Sequence, residues 1–226
     1  MRKHIFLAVV GAIALSMATF ANTLSPGQEM QPPDVLNLTG TKTGGESGGT
    51  FTPTFSANFN AALYRGNPIC PTCLTFAYQV SNIAAVGTGA GIIEMLTASA
   101  FSGFTTDVGF VVLPTAQDGF LAGGTAPLTV GRSSGPGAVV DFDYPNITGG
   151  SNNLGPGGHT AVLLIETNAT TFFDRGLFAI IDGSTSTLPT FAATAPTSTP
   201  EPNALALAGL GFLGFGLLLK RVRRQA

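Results

Sequence analysis

The stretch Thr50-Phe-Thr-Pro-Thr-Phe-Ser-Ala-Asn-Phe-Asn60 alternates apolar and polar side chains, and it decides the fold class. Its odd-numbered positions are Phe, Pro or Ala, whereas every even-numbered position is Thr, Ser or Asn. A period of two predicts a β-strand with one buried and one solvated face. Pro53 lacks an N–H group, which predicts that this strand lies at the edge of a sheet.

Further short segments of strand character follow along the chain. Strands are predicted at residues 74–80, 92–101, 108–113, 138–144, 161–165, 177–181 and 188–192. The segment 92–101 also fits helical spacing in part, but flanking glycines favour a strand. Segments 161–165 and 177–181 are apolar on both faces, which predicts central strands covered on both sides. The preceding region, residues 22–49, is rich in Pro and Gly and is predicted to be an extended leader with one short strand at 35–38.

Many short strands with Gly-, Pro- and Asn-rich connections, and no convincing long helix, are typical of an all-β domain. We therefore expect residues 22–194 to form one exported antiparallel β-sandwich. The pattern alone does not distinguish two packed sheets from one closed sheet.

The two ends of the chain have the composition of targeting segments. Residues 1–21 combine a basic start, an apolar stretch and a small-residue exit at Ala21, which predicts a signal peptide rather than a first transmembrane helix. The apolar run 204–219 would form a helix of about 24 Å, slightly shorter than a bilayer core. Four cations follow it: Lys220, Arg221, Arg223 and Arg224. Because the run is apolar all round, a transmembrane helix within residues 203–226 is favoured over a buried core helix.

The distribution of charge indicates how the chain is oriented across the membrane, and it argues against nucleic acid as a partner. Basic residues at both ends keep the flanks cytoplasmic, so the residues between the two apolar segments lie outside the cytoplasm. Four basic residues stand against twelve acids between residues 22 and 201, a net formal charge near −8. Such a balance argues against binding nucleic acid through a basic surface.

Cys70-Pro-Thr-Cys73 contains the two cysteines of the chain. An exported protein is expected to oxidise such a pair, which favours a small structural disulfide. A redox-active pair would need a helix after the first cysteine, and the sequence here favours a strand. Redox-active and free thiols remain alternatives.

Two further groups of side chains are candidate sites: an aspartate pair and a histidine. Asp141 and Asp143 fall on one face of a predicted strand, where calcium is conceivable, but a solvated strand face explains them equally well. His159 is the one histidine beyond the signal peptide, and no nucleophile motif accompanies it. We therefore expect no catalytic residues, no resident metal and no cofactor.

A Pro/Thr/Ser linker, residues 195–202, ends in the triplet Pro200, Glu201 and Pro202, directly before the apolar run. The triplet, the run and the basic end together resemble the PEP-CTERM sorting signal of Gram-negative bacteria. The residue before the triplet is Thr199, where the family often has Val.

The resemblance implies that the protein is the substrate of an exosortase, cleaved near the triplet and passed to the cell surface or extracellular matrix. The expected function is non-enzymatic, and the alternative is a carbohydrate- or calcium-binding adhesive module on the same sandwich. Expected partners are the export machinery, a signal peptidase, the exosortase and the inner membrane as a transient anchor. An exopolysaccharide is a further candidate.

Overall fold

The computed structural model describes residues 23–87, 90–144 and 153–194. Several predictions lie outside these residues: the signal peptide (1–21), the linker 195–202 with its Pro200–Pro202 triplet, and the segment 203–226 with its four cations. Within the described ranges the chain is all-β, as expected, and has no α-helix. Among these residues no helix is long and apolar enough to span a membrane.

Twelve strands make up the described domain. In chain order they are β1 (Glu29–Met30), β2 (Asp34–Val35), β3 (Thr41–Phe51), β4 (Phe55–Arg65), β5 (Leu74–Ala85), β6 (Met95–Ser99), β7 (Thr106–Val111), β8 (Thr129–Arg132), β9 (Val139–Asp143), β10 (Val162–Thr167), β11 (Thr171–Asp182) and β12 (Ser184–Thr194).

The strands form two six-stranded sheets. The first sheet has the order β2-β7-β10-β5-β4-β3, and the second has the order β1-β8-β9-β6-β11-β12. Neighbouring strands are antiparallel except β2 and β7, which run parallel. The long strands β3 and β12 are edge strands, one in each sheet, and they contact each other.

Aromatic side chains from both sheets meet in one core. Phe59 and Tyr78 of the first sheet lie 4.7 and 4.9 Å, centroid to centroid, from Phe178 of the second. All three side chains are buried, and each such burial contributes roughly 1.5–3 kcal/mol. The apolar face predicted for residues 55, 57 and 59 is therefore the core face of the first sheet.

A second apolar cluster covers the outer face of the first sheet. Val162 and Leu164 of β10 pack there with Tyr64, with Leu36 from the segment after β2, and with Phe120 from the loop after β7. This cover explains why β10 is buried along its whole length, as its apolar sequence predicts.

Two predictions about edges and faces were wrong. Pro53 does not mark an edge strand, because it lies in the turn between β3 and β4, where Thr52 Oγ1 accepts the backbone N–H of Phe55 at 3.0 Å. Strand β4 is internal, paired with β3 and β5. Strand β11 is buried on one face only: Phe178 and Ile180 lie in the core, whereas Leu177 is 52% exposed.

The prediction of a leader without a long strand was also wrong, because residues 41–51 form β3. Ten residue pairs join β3 to β4, so the strand is specified by its partner rather than by its own apolar pattern. Its glycines suit the tight space between the edge strands: a Cβ atom at Gly44 would lie 3.1 Å from the ring of Phe191.

Candidate functional site

The structure joins Cys70 and Cys73 in a disulfide, with their Cα atoms 5.1 Å apart. The pair lies in the loop between β4 and β5, and Leu74, the next residue, begins β5. Asn67 organises the loop, because its Oδ1 accepts the backbone N–H of Ile69 at 3.0 Å and its Nδ2 donates to the carbonyl oxygen of Leu74 at 3.1 Å. No helix follows the first cysteine, so the loop lacks the helix N-terminus that would stabilise a thiolate.

Asp141 and Asp143 lie on the outer face of the second sheet and are half-buried, while Val140 and Phe142 face the core. Burial, with smaller contributions from Asp143 and Glu29, raises the pKa of Asp141 to about 6. The described residues contain no group of three or more His, Cys, Asp or Glu placed to hold a metal ion. The two aspartates share a face as the alternation predicts, and that arrangement gives calcium no further ligand of these types.

His159 lies beside the first sheet, in an isolated bridge with Ser81. Its Nε2 atom lies 3.0 Å from the carbonyl oxygen of Ala122, a hydrogen bond that ties two loops together.

The outer face of the first sheet contains a buried acidic cluster that the sequence did not indicate. Glu166 of β10 stands opposite Asp107 of β7 and Thr75 of β5, and Asp34 of β2 is close enough for its charge to act on Asp107. Glu166 is 1% exposed and Asp107 is 4% exposed. Each of the four side chains has one buried oxygen without a hydrogen-bond partner in the described part of the chain. Burial and the neighbouring Asp107 raise the pKa of Glu166 to about 7.

A cavity of about 270 Å³ opens between the edge strands β3 and β12, and we call it the edge cleft. Its lining residues are Glu46, Ser47, Gly48, Phe59, Leu188 and Pro189. Glu46 pairs with Ala61, which pairs with Tyr78, so these three residues form a row on the core face of the first sheet. The edge cleft was not predicted, because its residues lie in the stretch interpreted as a leader and in a strand far along the chain.

The C-terminal segment of the chain matches a known family. Residues 198–224 match the family model described as the PEP-CTERM protein-sorting motif. The chain carries a PEP-CTERM motif. No curated protein and no solved structure matches the chain.

The PEP-CTERM match covers the Pro200, Glu201 and Pro202 triplet, the apolar run and the cations from Lys220 to Arg224. It starts four residues after Thr194, the last residue of β12. The motif implies export, sorting in transit through the membrane, and an exosortase as the processing partner. The resemblance drawn from the sequence is thereby confirmed.

Proposed function

We propose that the protein is a non-enzymatic surface or extracellular-matrix protein whose β-sandwich is exported, held briefly by residues 203–226, and released by an exosortase at Pro200–Pro202. The observation that carries the proposal is the position of the PEP-CTERM motif, which begins four residues after the last strand of the two six-stranded sheets. The signal peptide at residues 1–21 and the transmembrane helix belong to this proposal.

The composition of the linker supports cleavage at the triplet. Residues 195–202 contain three prolines and are otherwise mostly Thr, Ser and Ala, so they favour an extended chain of about 3 Å per residue. An extended linker would keep Glu201 clear of the sheets and accessible to a membrane enzyme. The apolar run and the cations behind it would fix the depth of the triplet in the membrane.

A binding or structural role fits the described domain better than catalysis does. His159 contacts a backbone carbonyl, the disulfide lies in a hairpin loop, and Glu166 and Asp107 of the first sheet are buried. None of these groups brings a nucleophile and a base together at an open surface, which is what hydrolysis would need.

The test is the substitution Glu201→Ala in the full-length chain, expressed in cells that contain the exosortase. We expect the exported protein to keep its tail and run larger on a mass-resolved gel than the wild type. Glu29→Ala, which removes an exposed acid on β1, serves as the matched control and should leave processing unchanged. Processing of the Glu201→Ala chain at the wild-type level would refute the proposed recognition of the triplet.

A further inference from the structure

The edge strands β3 and β12 are joined at one end and packed at the other. The hydroxyl of Thr50 bonds the hydroxyl of Ser186, and Thr54 bonds Ser184 at 2.6 Å just beyond it. At the far end, the ring of Phe191 packs against the backbone at Gly44. The edge cleft is the opening between these two closures, so its walls are held in place by contacts on either side.

The cleft has apolar walls and one carboxylate. Phe59 forms part of its floor, Leu188 and Pro189 come from β12, and Glu46 projects from β3 between Gly44 and Gly48. The Glu46 Oε2 atom is buried and has no hydrogen-bond partner in the described residues. The charge of Glu46 acts on the buried hydroxyl of Tyr78, whose side chain interacts with that of Thr190.

The electrostatic surroundings of Glu46 are negative. Burial, followed by the charge of Asp174, raises the pKa of Glu46, and Glu46 in turn contributes to the raised pKa of Tyr78. The domain's one lysine, Lys42, donates to the carbonyl oxygen of Asp118 at 2.6 Å. A small cation entering the cleft would therefore meet the Glu46 carboxylate, and the charge of Asp174 would act on it from outside the lining.

We propose that the edge cleft binds a small alkylammonium ligand, with the ammonium group on the Glu46 carboxylate and the hydrocarbon stem against Phe59, Leu188 and Pro189. The ammonium donates to Glu46, supplying the partner that the buried Oε2 atom lacks. Charge complementarity selects this occupant, because an anion would be repelled and a polyhydroxylated ligand would leave most of its polar groups against apolar walls.

The experiment uses the full-length chain in a non-ionic detergent, with ¹³C-labelled leucine methyl groups, and follows the Leu188 methyl signals by NMR. The probe is n-butylammonium chloride, and 1-butanol is the neutral probe of the same stem, at matched ionic strength. We expect saturable shifts at Leu188 with n-butylammonium, at a dissociation constant of roughly 1–20 mM for so small a ligand. 1-Butanol should bind at least about tenfold more weakly, because it lacks the charge-assisted hydrogen bond.

Two variants test the two halves of the proposal. Glu46→Gln keeps the shape of the side chain and removes its charge, so it should weaken n-butylammonium binding by at least about tenfold. Gly48→Leu leaves Glu46 intact and fills the cleft; a Cβ atom at this position would lie 3.8 Å from Leu188, an ordinary contact, so the strand should tolerate it. Glu29→Gln is the control that removes an acid elsewhere and should bind as the wild type does.

Retained n-butylammonium binding in Glu46→Gln or in Gly48→Leu would overturn the assignment, as would equal binding of 1-butanol or no saturable shift in the wild type. Near-ultraviolet circular dichroism verifies that each variant is folded, and if one variant fails this check the other still decides. Loss of binding in both, with retention in Glu29→Gln, supports the proposal. The result is independent of tail processing, so it separates this inference from the proposed sorting function.

Discussion

Replacing Glu166 by Gln should stabilise the protein at alkaline pH and leave its stability nearly unchanged in mild acid. Glu166 is 1% exposed, it stands opposite Asp107 in the sheet, and its Oε1 atom has no hydrogen-bond partner in the described residues. Burial and the charge of Asp107 favour the protonated acid. Gln has nearly the same shape as the protonated side chain and cannot ionise.

The size of the effect follows from the pKa of Glu166. Its pKa rises from 4.5 to about 7 on folding, which corresponds to roughly 3 kcal/mol because each pKa unit is worth about 1.4 kcal/mol. The folded state holds the proton more tightly, so the free energy of unfolding of the wild type falls as the pH rises through this interval. The pKa of Asp107 is raised to about 6 by burial and then by Asp34, and it gives a loss of the same sign.

Denaturant unfolding of the full-length chain in non-ionic detergent, at several pH values from about 4.5 to 8.5, measures the difference. Tyr64, Tyr78 and Tyr144 are the chain's three tyrosines and are all buried in the described domain, so tyrosine fluorescence reports its unfolding. Glu166→Gln should exceed the wild type by up to about 3 kcal/mol near pH 8 and by little near pH 4.5. A difference that does not change with pH, or a variant less stable than the wild type at pH 8, would refute the reasoning.

Two further predictions concern the disulfide loop and the pairing of β2 with β7. Replacing both Cys70 and Cys73 by Ser should lower the free energy of unfolding by only about 2 kcal/mol, because a disulfide that closes so short a loop restricts the unfolded chain little. Reducing the wild type with dithiothreitol should have the same effect. Gly109→Ala should lower the free energy of unfolding by about 2 kcal/mol, because the added Cβ atom would lie 2.2 Å from the carbonyl oxygen of Asp34. A Cβ atom at Gly155 would meet nothing within 4 Å, so Gly155→Ala should change the free energy of unfolding by no more than about 0.5 kcal/mol. Equal thermal shifts for the two glycine variants would contradict the close approach of β2 to β7.

The elements that the sequence predicted correctly carry their own periodic signal. The alternation around Phe59 and Phe142 reports burial on one face, and both rings lie in the core. The continuous apolar run of β10 reports cover on both faces, which the structure supplies through Leu36 and Phe120. A tight turn joins β11 to β12 at Gly183, whose φ of 57° lies in the left-handed region that favours glycine.

The elements that were missed depend on partners distant in the chain. Strand β3 has few apolar residues, and its pairing with β4 is not visible in its own composition. Leu177 led to the prediction that β11 is buried on both faces. The sequence does not indicate that the outer face of the second sheet stays exposed at this position. Local periodicity reports how many faces a strand could bury, and the segments that pack over each sheet decide how many faces it does bury.

The candidate sites also differ in whether their residues are contiguous in sequence. Pro200–Pro202 and the cations behind it are contiguous in sequence, so the sorting motif could be identified without a structure. The Glu166–Asp107 pair and the edge cleft join residues of separate strands, and their proximity follows from the strand register. One signal for the cleft was present: Gly44, Glu46 and Gly48 alternate along one face, which leaves a carboxylate flanked by two positions without side chains.

The proposal that an exosortase releases this protein at its PEP-CTERM motif is tested most directly by intact-mass spectrometry of the exported form. In cells with an active exosortase, we predict a mass for a chain that ends near Pro200–Pro202 and lacks the cations from Lys220 to Arg224. In otherwise identical cells without the exosortase, the chain should extend to Ala226. A chain that reaches Ala226 in both strains, or the same truncated mass in both, would contradict the account.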